Sequence, residues 1–385
     1  MERRFRLGRR HRLATGSAAD DLAAVAGSLA GLHASDPATV YLSAMVRMST
    51  PSIAAVERGL YDDRTVVRML AMRRTMFIEP LDLVPAVHHG ATLGLLATQR
   101  RQLARLLTDA GVATDGGAWF DAVADETLAA LRRRGSATTR EIQQDVPELR
   151  RRLVLDVGKR TETEIGVASR VMFLMGVEGR VVRGRPLGSW ISSQYRWHPA
   201  DEWVRGGIPP LEPADARTIL VARWLHAFGP APRSDLKWWT KWTVKEVDRA
   251  LAAVGAVEVD LDGTAGYVLG DDLEPVDDPG PWTALLPMLD PTPMGWQQRD
   301  WFLGPHRERL FDRFGNIGPT IWSDGRIVGG WAQRPDGEIA IHLLEDIGRD
   351  ARSGIETQAH QIATLVGPTR FIPRFRTPLE RQLVS

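Results

Sequence analysis

The stretch most informative about the fold covers residues 243–269. Its sequence is Thr243-Val-Lys-Glu-Val-Asp-Arg-Ala-Leu-Ala-Ala-Val-Gly255-Ala-Val-Glu-Val-Asp-Leu261-Asp-Gly263-Thr-Ala-Gly-Tyr-Val-Leu269. Thr243, with a glutamate three residues later, forms a capping box, which predicts a helix that ends at Gly255. The alternation from Val257 to Leu261 predicts a strand. The following Asp-Gly pair predicts a hairpin turn into a second strand.

Two more helices are predicted just upstream of this stretch. Apolar residues at helical spacing indicate a helix over Pro213 to Phe228, which Gly229-Pro230 stops. A short helix over Asp235 to Trp239 follows, with Ser234 as its cap. Three helices followed by a two-stranded hairpin are the order of a winged helix, so residues 208–278 are predicted to form one.

The same order recurs less cleanly toward the N-terminus. Thr138-Thr-Arg-Glu141 is another capping box, Pro37 opens a helix, and Val66 to Leu70 with Thr75 to Ile78 suggests a short hairpin. After Pro279, tryptophan, glycine and proline become dense around short alternating segments, which predicts a small β domain. We therefore expect an α+β chain with winged-helix domains at 1–110, 111–207 and 208–278, and a β-rich domain at 279–385.

Composition limits the possible functions. The 385 residues include no cysteine, which excludes disulfides, thiolate nucleophiles and cysteine-ligated metal sites. No histidine shows convincing metal-ligand spacing, and no nucleotide-binding loop is found, so neither a metal nor a cofactor is expected. The N-terminus has no apolar signal segment, and no apolar run is long enough to span a bilayer. These features predict a cytoplasmic, monomeric protein without membrane contact.

The charge is unevenly distributed although the net charge is only +1. Residues 1–13 carry six arginines against one acid, whereas residues 246–290 carry eleven acids against one arginine. Such segregation lets one face attract phosphate while another face repels it. The alternative is that these clusters are ordinary solvated surfaces.

Several short motifs resemble the winged-helix DNA-binding proteins that include the alkylpurine DNA glycosylases AlkZ and YcaQ. The motifs are Leu286-Pro-Met-Leu-Asp290, Met294-Gly-Trp296, Arg299-Asp-Trp301, Asn316-Ile-Gly-Pro319, Gly329-Gly-Trp331, Gly188-Ser-Trp190, Leu236-Lys-Trp-Trp239 and Gly31-Leu-His-Ala-Ser-Asp-Pro37. The resemblance covers essentially the whole chain. It implies three tandem winged-helix domains and a β domain, wrapped into a C shape whose concave face takes double-stranded DNA.

The resemblance also implies a catalytic motif. Catalytic members of the family carry Gln-X-Gln or Gln-X-Asp before a helix break, and these side chains are thought to position the water that attacks C1′. In this chain His33 stands at the first position and Ser35 at the second, which is a departure from the family pattern. A neutral His33 can accept a proton from water, and Asp36 can stabilise positive charge on the sugar. Alternatively, Asp36 is the N-cap of a helix opened by Pro37, and His33 is a histidine at a helix C-terminus.

The remaining candidates are residues expected to contact DNA. Arginines on hairpins and helices suit phosphate neutralisation, and aromatic residues between basic ones suit stacking on bases. Core packing is the alternative for the tryptophans, and solvation is the alternative for the arginines. The candidates are Arg73, Arg74, Arg170, Arg180, Arg183, Arg185, Arg196, Lys237, Trp238, Lys241, Trp296 and Arg299.

Two functions from different classes follow. The first is a monofunctional DNA N-glycosylase for alkylated or bulky purine adducts, acting in DNA repair. The second is a non-catalytic winged-helix DNA binder, either a regulator or a damage binder, which the departure from the glutamine motif favours. The absence of an obvious dimerisation helix weighs against a regulator, because such proteins usually bind half-sites as dimers.

Overall fold

The computed structural model describes residues 1–155, 158, 162–373 and 376–385. In the N-terminal region a three-stranded antiparallel sheet, in the order β1-β3-β2, packs among helices. The elements of this region are α1 (Glu2–Arg10), α2 (Leu22–Ser28), β1 (Leu32–His33), α3 (Pro37–Met45), α4 (Ile53–Glu57), β2 (Val66–Leu70), β3 (Met76–Pro80), α5 (Val84–Val87) and α6 (Leu96–Asp109). The predicted hairpin and the helix opened by Pro37 are confirmed.

The second region contains two separate hairpins. Its elements are α7 (Gly116–Arg134), α8 (Thr139–Asp145), β4 (Arg152–Leu155), β5 (Thr163–Gly166), α9 (Val167–Val177), β6 (Val181–Pro186), β7 (Tyr195–Pro199) and α10 (Ala200–Trp203). Strands β6 and β7 form the expected hairpin after α9. The hairpin of β4 and β5 was not foreseen, because the alternation of these strands is weak and both are largely exposed.

The third region has the predicted order of elements: α11 (Pro213–Phe228), α12 (Arg233–Thr240), α13 (Val244–Ala253), β8 (Val257–Leu261) and β9 (Thr264–Val268). The Thr243 side chain accepts a hydrogen bond from the backbone N–H of Glu246, and the Glu246 carboxylate accepts one from the backbone N–H of Thr243. This reciprocal cap satisfies two backbone donors that a helix start would otherwise leave unpaired.

The C-terminal region is a four-stranded antiparallel sheet in the order β10-β11-β12-β13, covered by helices. Its elements are β10 (Thr283–Leu286), α14 (Pro291–Met294), α15 (Asp300–Leu303), α16 (Arg307–Leu310), β11 (Thr320–Ser323), β12 (Arg326–Gln333), β13 (Ile339–Leu343), α17 (Arg349–Val366) and α18 (Pro378–Val384). The sequence pattern from Pro368 to Phe375 also predicts a last strand; residues 368–373 form no strand, and residues 374–375 lie outside the described residues.

One continuous hydrophobic core joins the N-terminal, third and C-terminal regions, with Leu22, Trp224 and Trp322 among its fully buried members. A second, smaller core lies mainly in the middle region, around Phe120 and Met175, and takes in Leu70, Leu103 and Leu107 from the N-terminal region. None of the described helices combines the length and the apolar character needed to cross a membrane.

A buried ion pair fastens the N-terminal region to the C-terminal one. Arg47 at the end of α3 and Asp290 at the cap of α14 are both 0% exposed, and the guanidinium donates to both carboxylate oxygens. Arg47 also donates to the backbone of His11 and Ser43, and to Thr292 Oγ. The sequence shows Asp290 as the last residue of a motif, but no local pattern predicts that the partner of Asp290 is Arg47.

Candidate active site

His33 lies on a strand, not at the end of a helix as the alternative interpretation had it. After α2, Ala30 and Gly31 adopt positive φ values of 49° and 99°, which turn the chain into β1. There Leu32 pairs with Ile78 and His33 with Phe77. The turn depends on Gly31, because a Cβ at this position would lie 2.4 Å from Glu79 Oε1.

The environment of His33 keeps its imidazole neutral. The residue is 5% exposed, its ring centroid lies 5.5 Å from that of Phe77, and Nδ1 is buried without a hydrogen-bond partner among the described residues. Burial lowers the pKa of His33 to about 3, and the positive charge of Arg73 acts in the same direction. A neutral imidazole always keeps one ring nitrogen free to accept a hydrogen bond. Such a ring can orient a water molecule, although it is too weak a base to hold a proton at neutral pH.

Ser35 and Asp36 are placed differently from each other. Ser35 is exposed. Asp36 is the N-cap of α3, where its Oδ1 accepts hydrogen bonds from the backbone N–H of Thr39 at 3.0 Å and from Thr39 Oγ at 3.3 Å. The capping interpretation of Asp36 is therefore correct, and a role at the sugar would have to use its other oxygen.

A buried carboxyl group, which sequence reasoning missed, lies close to the motif. Glu79 on β3 is completely buried, and neither carboxyl oxygen has a hydrogen-bond partner among the described residues. Burial raises the pKa of Glu79 well above its usual range, with the charge of Asp82 as a further cause. The carboxyl packs beneath Gly31, at the turn that leads into the motif strand. A glutamate within the apolar strand Met76–Pro80 was the available signal.

Three predicted DNA contacts from distant parts of the chain meet beside His33. Arg73, in the tight turn between β2 and β3, places its guanidinium 4.0 Å from the ring centroid of Trp238 on α12. Arg299, just before α15, lies 5.0 Å from the same ring. The turn that holds Arg73 leads into β3, which pairs with His33 at Phe77 and accepts the Ala34 N–H at Met76 O, so these residues belong to one site.

The other arginines divide into two groups. The first group forms ion pairs with carboxylates: Arg180 with Asp125, Arg185 with Glu57 and Asp62, and Arg196 with Glu141. The phosphate contacts of these three residues stay predictions, and DNA would have to replace a carboxylate at each of them. The second group forms no ion pair among the described residues. In this group the Arg74 guanidinium lies over Phe173, the Arg183 guanidinium lies over Trp197, and Arg170 lies on α9.

The tryptophans are also divided between packing and exposure. Lys237 and Lys241 are exposed and Trp238 is half-buried, whereas Trp239 and Trp242 are core residues. A DNA contact predicted for Trp296 needs correction. Its ring is 2% exposed, packs on Phe228, and donates its N–H to the backbone oxygen of that residue at 3.0 Å. The described part of the chain contains no cluster of three or more potential metal ligands.

Known proteins resemble this chain in sequence and in fold. A sequence model of the family "DNA glycosylase AlkZ-like" matches residues 26–365. The interstrand DNA cross-link repair glycosylase of Streptomyces sahachiroi is 26% identical over 358 residues, which is 90% of this chain and 91% of the relative. The solved structure of Streptomyces sahachiroi DNA glycosylase AlkZ superimposes with a TM-score of 0.72 at 20% identity, covering 96% of this chain and 97% of that one.

Proposed function

This chain belongs to the AlkZ-like DNA glycosylase family, and from that premise we propose that it is a monofunctional DNA N-glycosylase for alkylated or bulky purine adducts in double-stranded DNA. The observation that carries the proposal is a neutral, almost buried His33 on the strand that pairs with β3, at the end of the turn that holds Arg73; the family resemblance supports it by placing His33 where the first glutamine would stand. Glutamine and neutral histidine share the property that matters here, which is a fixed acceptor for a water proton.

The proposed reaction needs little acid catalysis. An N7-alkylated purine is cationic, so the C1′–N9 bond breaks with its electron pair going to the purine, which leaves as a neutral base. Water then adds to C1′, its oxygen forming the new bond while His33 accepts a hydrogen bond from it, and the proton passes to solvent. His33 thereby holds the water in line with the sugar carbon, and positioning of this kind lowers the barrier without a change in the charge of the residue.

Around this centre we propose a DNA-binding surface that acts mainly on the phosphate backbone. It consists of the predicted basic and aromatic residues that are not committed to protein carboxylates or to the core: Arg73, Arg74, Arg170, Arg183, Lys237, Trp238, Lys241 and Arg299. Binding of this kind is sensitive to salt and largely independent of sequence. We further propose that the three winged-helix units at 1–110, 111–207 and 208–278 and the region at 279–385 curve around the duplex as a monomer.

The proposed function is tested on a duplex with one N7-methylguanine and on duplexes with bulkier N7 adducts. The expected product is the free modified base together with a strand that breaks only after treatment with alkali, because a monofunctional enzyme leaves an intact abasic strand. Strand breakage without alkali would exclude the monofunctional mechanism. Salt-sensitive binding with no release from any of these duplexes would favour the non-catalytic DNA binder.

The pH dependence of base release tests the protonation state of His33. Because its pKa is lowered to about 3, the residue is neutral throughout pH 5 to 8, and the rate at saturating enzyme is expected to stay flat over this range. An ordinary histidine would instead give a rate that falls with a midpoint near pH 6.5 as the pH decreases. The measurement is a single-turnover pH profile, with circular dichroism at each pH to confirm that the protein stays folded.

A further inference from the structure

Three arginines and two aromatic rings form a stack beside the candidate site, and a fourth arginine packs on a separate ring. Arg73 and Arg299 both lie over Trp238, and Arg299 also lies 5.3 Å from the ring centroid of Phe311. Arg307 lies 4.8 Å from the same phenyl ring. Nearby, the fourth arginine, Arg3, lies 4.1 Å from the ring centroid of Trp301. The aromatic faces fix the planes of the guanidinium groups, and Arg299 Nη2 also donates to Met294 Sδ at 3.8 Å, a weak acceptor that carries no charge.

The positive charge of this stack is not neutralised within the protein. Arg299 is 5% exposed, and its Nε is buried without a hydrogen-bond partner among the described residues. The same is true of three further atoms, which are buried without a hydrogen-bond partner among the described residues: Arg73 Nε, Arg3 Nε and Arg3 Nη2. In the part of the chain that the structure describes, none of these residues, nor Arg307, forms an ion pair with a carboxylate.

One carboxylate, that of Asp235, opposes the positive charge on Arg299, and its Oδ2 is buried without a hydrogen-bond partner among the described residues. Asp235 on α12 uses Oδ1 to accept hydrogen bonds from the backbone N–H groups of Gln297, at 2.9 Å, and Gln298, at 2.8 Å. Burial lowers the pKa of Arg299 to about 10, and the charges of Arg73 and Arg307 lower it further, with only Asp235 opposing them. Buried cations are costly unless an anion pairs with them, so this excess of charge points to an anionic partner.

We propose that Arg73 and Arg299, held against Trp238, bind one phosphodiester of the DNA strand next to the sugar that His33 serves, with Arg307 adding charge at the rim. The inference rests on the proposed function and makes it specific to one phosphate. Phosphate suits this site because the guanidinium fork pairs with two of its oxygens at once. The adjacency follows from the sheet: His33 pairs with Phe77 and the Ala34 N–H donates to Met76 O at 2.7 Å, and Arg73 lies in the turn that leads directly into Met76.

The first test measures binding of undamaged duplex DNA by Arg73→Gln and Arg299→Gln over a range of salt concentrations. Each variant is expected to weaken binding about 10- to 100-fold, and to reduce the slope of log affinity against log salt by about 1. The matched control is Arg105→Gln, because Arg105 on α6 is 83% exposed and paired only with Asp109. Equal affinities for all three variants and the wild type would overturn the proposal.

The second test uses the wild-type protein, so it does not depend on the folding of a variant. A single neutral methylphosphonate is moved along the phosphates that flank an N7-methylguanine. At one position the methylphosphonate is expected to lower the affinity of the wild type about 10- to 100-fold. At the same position it is expected to leave the affinity of Arg299→Gln unchanged, because that variant has already lost the contact. Purely additive losses at every position would refute a specific phosphate contact. Competition by inorganic phosphate alone, with no methylphosphonate effect, would assign the site to a free anion and likewise contradict the proposal.

These binding measurements separate this inference from the proposed function, because none of them requires turnover. A specific phosphate contact without base release would leave the inference standing and remove the glycosylase activity. Base release by the wild type, together with normal DNA binding by Arg299→Gln, would leave the glycosylase activity standing and remove the phosphate contact.

Discussion

The His33→Ala variant is expected to release an N7-alkylated purine at least about 100 times more slowly than the wild type in single-turnover experiments. Alanine removes the ring nitrogen that would accept a hydrogen bond from the attacking water, and no acceptor replaces it at this point of β1. Without this acceptor no water is held at C1′, so capture of the sugar slows and the departing base re-forms the C1′–N9 bond instead of being released. The Tm is measured in parallel, because the buried ring also packs on Phe77.

Two control variants separate positioning of the water from packing. His33→Gln restores an acceptor of similar reach, and is expected to keep the rate within about 10-fold of the wild type. Ser35→Ala changes an exposed side chain, and is expected to have less effect than His33→Ala. Equal losses for His33→Ala and His33→Gln, with equal losses in Tm, would mean that His33 serves only to fill space.

The Asp290→Ala variant is expected to lose about 3–5 kcal/mol of unfolding free energy, because it leaves the Arg47 guanidinium buried and uncompensated. Both residues are 0% exposed, and Asp290 also accepts a hydrogen bond from Ser43 Oγ at 2.7 Å. The measurement is urea unfolding followed by tryptophan fluorescence. The loss is a large part of the 5–15 kcal/mol typical of folded proteins, so partial unfolding at 37 °C is expected as well.

The exposed pair of Arg132 and Asp201 provides the matched control for this prediction. Their side chains are 50% and 51% exposed, and Asp201→Ala is expected to cost at most about 1 kcal/mol. The double variant Arg47→Met with Asp290→Ala should lose less than the sum of the two single variants, since it removes the unpaired charge. A loss below 1 kcal/mol for Asp290→Ala would show that the buried pair does not fasten the two regions.

Local sequence signals predicted the third region well. The capping box at Thr243, the periodicity of Pro213–Phe228 and the Asp-Gly turn after Leu261 each act within a few residues, and the structure has the corresponding helices and hairpin. The strand that carries His33 could not be predicted in this way. It contains two residues, and it exists because β3, more than forty residues later in the chain, pairs with it.

In the candidate site, too, the sequence predicted single residues but not how they come together. Motif positions identified His33, Arg73, Trp238 and Arg299 separately, but their meeting depends on packing between three distant segments. Ion pairing is equally invisible to composition. The sequence shows no carboxylate partner for Arg180 or Arg185, because the partners Asp125 and Asp62 come from other parts of the chain. Trp296 resembled a cleft residue because its neighbours are polar, whereas its ring fills the core against Phe228.

The central claim is that this chain accelerates base release from alkylated DNA. Its most direct test is the single-turnover rate constant of the wild type at saturating enzyme, on a duplex with one N7-methylguanine, measured against spontaneous release from the same duplex. An acceleration of about 10³-fold or more is expected, with undamaged DNA left intact. Release at the spontaneous rate, from DNA that is demonstrably bound, would contradict it.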